Sequence, residues 1–197
     1  MDKTIRNWGG EFITCRYDHP TGTMMFISFH SIALGIDRGD TRLTTYTHSR
    51  EALRDSMRLA EGMTYKFAMI GFPRGGVKAV LSVPKDFKTS NREGLMTRYG
   101  QWLSDLKGIF ETGPDLGTGS EGMAIINRYY SSVFGLPVQI GGVVDSGPAT
   151  AQGVFYGIKV SCLHRFKSYD LADRTIFGAK CWERWRTTNP SIVRCWL

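Results

Sequence analysis

The chain has 197 residues, of which 42% are hydrophobic and 22% charged, with 23 Gly and 7 Pro. Those proportions describe one globular domain and exclude a disordered tail, a collagen-like repeat or a disulfide mini-protein. The net charge of +7 suggests nucleic acid, but residues 174–197 hold five basic groups (Arg174, Lys180, Arg184, Arg186 and Arg194) against one acid, Glu183, leaving 20 basic and 17 acidic groups before them. The body of the chain is close to charge balance, and no nucleic-acid partner is expected.

Residues 11–17 and 23–30 are expected to be two strands joined by a turn at His19-Pro20-Thr21-Gly22. In the second, Met24, Phe26 and Ser28 alternate with Met25, Ile27 and Phe29, so both faces are apolar and the strand belongs in a sheet covered by helices. A short strand is expected near Thr41–Tyr46 after a loop marked by Gly35 and Gly39. From Ser49, a candidate N-cap, Leu53, Met57, Ala60, Thr64 and Phe67 recur at helical spacing. Pro73 and Gly75-Gly76 end that segment, and Val77–Val83 is expected to be a buried strand. Ser90-Asn91-Arg92-Glu93 fits a capping box ahead of Leu95, Tyr99, Trp102 and Leu106, which predicts a further helix. Residues 111–119 are rich enough in Gly to be expected as an irregular loop, followed by helices over about 120–134 and 148–164. Strands alternating with helices give an α/β fold whose sheet is mixed, mostly parallel and flanked by helices.

No run approaches the roughly 18 apolar residues of a membrane span, and the first residues lack a signal-peptide core, so a cytoplasmic protein with no membrane partner is expected. Cys15, Cys162, Cys181 and Cys195 show no paired spacing and the four His no ligand pattern, so neither a disulfide framework nor a metal site is expected. Two lysines stand in unusual settings. Lys66 follows Met63-Thr64-Tyr65 within an apolar stretch, and Lys78 opens a buried strand after Gly75-Gly76-Val77. A buried ammonium needs an anion or loses its proton, whereas a lysine at the edge of a core can also snorkel to solvent. Asp115 lies in the Gly-rich loop and fits either a turn or a functional position. Residues 71–78 are not a phosphate loop, because Ala79 stands where a Ser or Thr is required.

The blocks Gly39-Asp40-Thr41-Arg42, Gly62-Met63-Thr64-Tyr65-Lys66, Gly75-Gly76-Val77-Lys78, Asp115-Leu116-Gly117-Thr118 and Pro148-Ala149-Thr150-Ala151 occur in this order. Together they resemble the amino-terminal catalytic and dimerisation domain of the Glu/Leu/Phe/Val dehydrogenases, most closely the leucine and phenylalanine branch, over roughly residues 12–176. The resemblance implies oxidative deamination of a small L-amino acid to its 2-oxo acid, with NAD accepting hydride, in a homo-oligomer. It implies that Lys66 holds the substrate carboxylate and Lys78 is the catalytic lysine that activates water. Asp115 would move the proton on the amino nitrogen, Gly39 would let the backbone approach the substrate, and Thr150 would touch the cofactor. It also implies a catalytic domain over residues 1–148 and a linking helix with the start of a dinucleotide-binding domain over 149–178.

The chain departs from that pattern. Asp40 stands where the family carries a second glycine, Val77 where it carries a third, and Arg38 where an apolar residue lines the side-chain pocket. Residues 170–176 resemble the start of the first dinucleotide-binding strand, but no G-x-G-x-x-G follows. Reading one nucleotide later turns the single tryptophan codon into glycine at positions 182 and 185, and with permitted codons residues 179–185 become Gln-Ser-Val-Gly-Asn-Val-Gly, close to the family's fingerprint Q-G-x-G-N-V-G. Residues 179–197 are therefore expected to be an aberrant, frameshifted tail, and the chain by itself is expected to be inactive. The alternative is a non-catalytic remnant that serves only in assembly.

Overall fold

The computed structural model describes residues 5–143, 146–171 and 174, with the side chains of 146–148 left aside. It divides into two units between Val144 and Asp145.

In the first unit β1 (Phe12–Asp18) and β2 (Thr23–Ser31) form a hairpin, with Phe12 opposite Phe29 and Asp18 opposite Thr23. β3 (Asp37–Thr44), helix α1 (Ser49–Met69), β4 (Gly75–Ser82), helix α2 (Arg92–Ser104), β5 (Phe110–Pro114) and helix α3 (Ser120–Asn127) follow. The sheet order is β1-β2-β4-β3-β5. β1 and β4 each pair antiparallel with β2, while β3 pairs parallel with β4 and β5. Four of the five strands therefore point the same way and β2 alone is reversed, giving the mixed, mostly parallel sheet that the alternation predicted.

The alternation in β2 divides two cores. Met25, Ile27 and Phe29 join Val77, Ala79 and Leu81 beneath α2 and α3, where Leu95, Met96, Tyr99, Met123 and Ile126 are buried. On the opposite face Phe26 and Val80 meet Ala52 of α1. Helix α1 lies close to the sheet because its inner stripe is small: Ala52, Ser56 and Ala60 are fully buried. The Ser28 and Ser56 hydroxyls are 2.7 Å apart. A Cβ on Gly76 would lie 2.1 Å from Thr64 Oγ1 and 2.5 Å from the Ala60 carbonyl, so this glycine is a contact point for the helix backbone. The hairpin is tied to α2 by Arg98, whose Nε and Nη2 donate to the two oxygens of buried Asp18 at 2.5 and 2.9 Å.

Several local expectations are corrected. The N-cap of α1 is His48, and Ser49 is its first helical residue. No capping box forms at 90–93: a 3-10 turn over Thr89–Asn91 runs into α2, so Asn91 already has helical dihedrals and its side chain makes no cap bond. Residues 110–114 are a strand despite their glycine, because Phe110 and Thr112 bury themselves and pair alongside β3. Helix α3 ends at Asn127 instead of continuing to 134. Beyond it the chain supplies partners to the open edge of β5. Thr112 N–H donates to the Ser132 carbonyl at 3.0 Å, and Phe134 N–H donates to the Thr112 carbonyl at 2.8 Å.

The second unit contains helix α4 (Ser146–Phe166), with His164 and Arg165 in its last turn, where positive charge complements the helix dipole. The Arg174 guanidinium lies 4.1 Å from the Phe166 ring centre. The expected frameshifted tail at 179–197, and most of the strand start at 170–176, lie outside the described residues. Among the described residues no helix is long and apolar enough to cross a membrane.

Candidate active site

Residues 38, 40 and 42 alternate on β3 and so share one face of the sheet, which α1 covers. Lys78 of β4 stands on this same face. Its side chain is only 4% exposed, and its Nζ lies 2.9 Å from Asp115 Oδ2 and 3.2 Å from Asp40 Oδ2. Asp115 follows directly on β5, and its loop is pinned to β3. The Asp115 N–H donates to Thr118 Oγ1 at 2.7 Å, and that hydroxyl donates onward to the Thr41 carbonyl at 2.8 Å. Asp115 Oδ2 also accepts from Arg42 Nε at 2.9 Å. Arg42 Nη1 in turn donates to Asp55 Oδ2 of α1 at 2.8 Å. Tyr46 OH and Arg58 Nη2 complete the line by donating to Asp55, each at 2.7 Å.

The electrostatics follow from these contacts. Burial works to raise Asp115, but the Lys78 charge and hydrogen bond, together with Arg42, outweigh it and hold the carboxyl below its ordinary value of 3.8. Asp55 is likewise held low against its burial by Tyr46, Arg58 and Arg42. Burial and the anionic Asp55 push the Tyr46 hydroxyl upward, so it stays a donor. Asp115 is an ionised proton acceptor hydrogen-bonded to a buried amine, which is the equipment for moving a proton on and off nitrogen.

Of the residues singled out in the sequence, Lys78 and Asp115 are brought into direct contact. Lys66 lies exposed near the end of α1 and makes no ion pair among the described residues. Gly39 adjoins Asp40, and a Cβ there would lie 1.8 Å from the Val77 carbonyl, so its bareness already serves the close approach of β4. Thr150 is an exposed residue of α4 in the second unit. Arg38 is stacked 3.9 Å from the Phe134 ring centre and donates to both oxygens of Glu111 at 3.2 Å, so the charge it brings is met by an acid. Sequence reasoning missed Asp55, Tyr46 and Arg58, and it did not give Asp40 a partner. One signal was present: charged residues at 38, 40 and 42 repeat with the period of a strand, although the strand was expected to begin only at 41. Among the described residues no group of His, Cys, Asp or Glu is placed to hold a metal ion.

Residues 13–132 match the family described as Glu/Leu/Phe/Val dehydrogenase, dimerisation domain. A phenylalanine dehydrogenase of Lysinibacillus sphaericus is 37% identical over 158 residues, covering 80% of this chain and 41% of that protein. A leucine dehydrogenase of Geobacillus stearothermophilus is 34% identical over 174 residues, covering 88% of this chain and 47% of that protein. The solved L-tryptophan dehydrogenase of Nostoc punctiforme superposes with a TM-score of 0.64 at 28% identity, over 99% of this chain and 55% of that one. The chain thus spans less than half the length of these two curated relatives.

Proposed function

We infer, for a chain that belongs to the Glu/Leu/Phe/Val dehydrogenase family, that residues 1–148 form the catalytic half of an L-amino-acid dehydrogenase. The reaction proposed is oxidative deamination of an L-amino acid to the 2-oxo acid, with NAD as hydride acceptor. The contact that supports this most is the 2.9 Å pair between Lys78 Nζ and Asp115 Oδ2, in a site where the lysine is almost wholly withdrawn from water. In this reading Asp115, an ionised carboxylate, takes the proton from the substrate ammonium and later returns one to the departing nitrogen. Lys78 activates the water that adds to the imine carbon. Lys66, exposed and without an ion pair among the described residues, supplies a point charge for the substrate carboxylate, and the role proposed for Gly39 is to let the backbone approach the substrate. Thr150 is the one described residue assigned to the cofactor, and a single exposed hydroxyl does not make a dinucleotide cradle. The described residues therefore do not fit NAD, and no step is derived through it.

Two measurements test this. NADH formation at 340 nm over a panel of L-amino acids is expected to be negligible for this chain alone, and robust turnover would refute that expectation. Binding of a 2-oxo acid, read by calorimetry, is expected in the unaltered chain and should be lost in Lys78→Ala and Asp115→Ala; no binding to any 2-oxo acid or amino acid removes the site reading. We propose further that the chain forms a homo-oligomer, in keeping with its family's description as a dimerisation domain. A second reading, a non-catalytic partner that assembles with longer relatives, is favoured by one observation: Asp40 already engages the amine of Lys78. Co-purification with a full-length relative, together with absent ligand binding, would select it.

A further inference from the structure

Lys78 is held from β3 and from the loop that follows β5, and the two holds differ in kind. Arg38 pairs with Gly76 and Thr41 with Ala79 along β3 and β4, which sets positions 40 and 78 opposite one another on the same face. Opposite charges placed so on neighbouring strands attract one another. Asp115 shares its contacting oxygen with Arg42, and the backbone of its loop is tied down by Thr118. Asp40 has a single partner among the described residues, Lys78 itself, and its side chain is 23% exposed. Asp40 is therefore the one of the two carboxylates that can change partner without dismantling the line from Arg42 to Asp55. Ser28 of β2 stands opposite Lys78, and its hydroxyl and that of Ser56 are satisfied by each other and by the Leu53 carbonyl. No other charged group among the described residues contacts the amine.

An amine acts as a base or nucleophile only through its lone pair, and an ammonium held between two carboxylates has none to offer. We propose that Asp40 is a positioning residue whose carboxylate, alongside Asp115, engages Lys78 Nζ and turns it toward β3, so that Lys78 reacts less readily as a nucleophile while Asp40 keeps its charge. This goes beyond the dehydrogenase reading, since it concerns the state of the lysine and not the reaction. The tests below require no turnover, so their failure and the failure of that reading can be told apart.

Trace acetylation of the full chain with an N-hydroxysuccinimide ester at pH 8, quantified by mass spectrometry, compares Lys78 with the exposed Lys85 and Lys88 as internal references. In Asp40→Asn, which keeps the volume and removes the charge, the labelling of Lys78 relative to those references is expected to rise at least fivefold. Asp40→Glu, which restores a carboxylate, should return it to within twofold of the unaltered chain. A ratio in Asp40→Asn within twofold of the unaltered chain, at an unchanged circular dichroism spectrum, overturns the proposal. Should Asp40→Asn not fold, nuclear magnetic resonance of the unaltered chain carries the test. Coupling through the hydrogen bond is expected between Lys78 Nζ and Asp40 Cγ, and its absence where coupling to Asp115 Cγ is seen overturns the proposal equally.

Discussion

Asp37 opens β3 with its carboxyl 1% exposed, and neither oxygen has a hydrogen-bond partner. Burial, helped by the negative charge of Glu11, raises it from an ordinary 3.8 to about 7. A carboxyl whose folded value is raised favours the folded state while it is protonated. Stability from this group is therefore full below about pH 4, declines as pH rises through the interval up to 7, and is lost above it. At about 1.4 kcal/mol per unit, the whole interval corresponds to about 4 kcal/mol, of which about 2.5 kcal/mol falls between pH 5 and pH 8. Asp37→Asn removes the charge and nearly preserves the shape. Its own buried amide gains no partner, so at pH 5 it is expected to be equal to or slightly less stable than the original chain. At pH 8 the balance moves by about 2.5 kcal/mol in favour of the variant. Urea unfolding followed by far-ultraviolet circular dichroism at both pH values measures the difference directly, and comparing the two chains cancels every other titrating group. A stability difference that stays constant from pH 5 to pH 8 would refute the reasoning, because it would mean that Asp37 carries no uncompensated charge in the folded chain.

Two further outcomes are expected. Arg98→Leu strands Asp18, whose side chain is 4% exposed and whose carboxyl is held low by Arg98 and Thr21 against its burial, so it should cost about 2–3 kcal/mol at pH 7. That loss should shrink as pH falls through the low folded value of Asp18, and urea titrations at pH 7 and pH 3.5 follow it. Gly76→Ala drives a methyl into the backbone of α1 at Ala60 and Thr64 and should cost about 3 kcal/mol, read as a lowered urea midpoint at an unchanged slope.

The elements whose periodicity is carried within about ten neighbouring residues were legible before any coordinates. The two-sided apolar pattern of residues 24–29 required a sheet with helices on both faces, and the spacing of Leu53, Met57, Ala60, Thr64 and Phe67 required the long helix α1. The motif blocks around Lys78 and Asp115 marked the two residues that meet. Other features depend on partners that the local sequence does not contain. Residues 110–114 are extended because β3 lies beside them, and after α3 stops at Asn127 the residues that follow exchange hydrogen bonds with the edge of β5. Arg42 finds Asp55 thirteen positions away and Asp115 seventy-three positions away. Asp40 reaches Lys78 only through the parallel register of β3 and β4. A side chain's type and its rhythm along the chain fix which face it occupies, but strand order and register fix which charge stands opposite. In a site withdrawn from water the attraction between opposite charges is strong, so the partner that register supplies matters more there than on the surface.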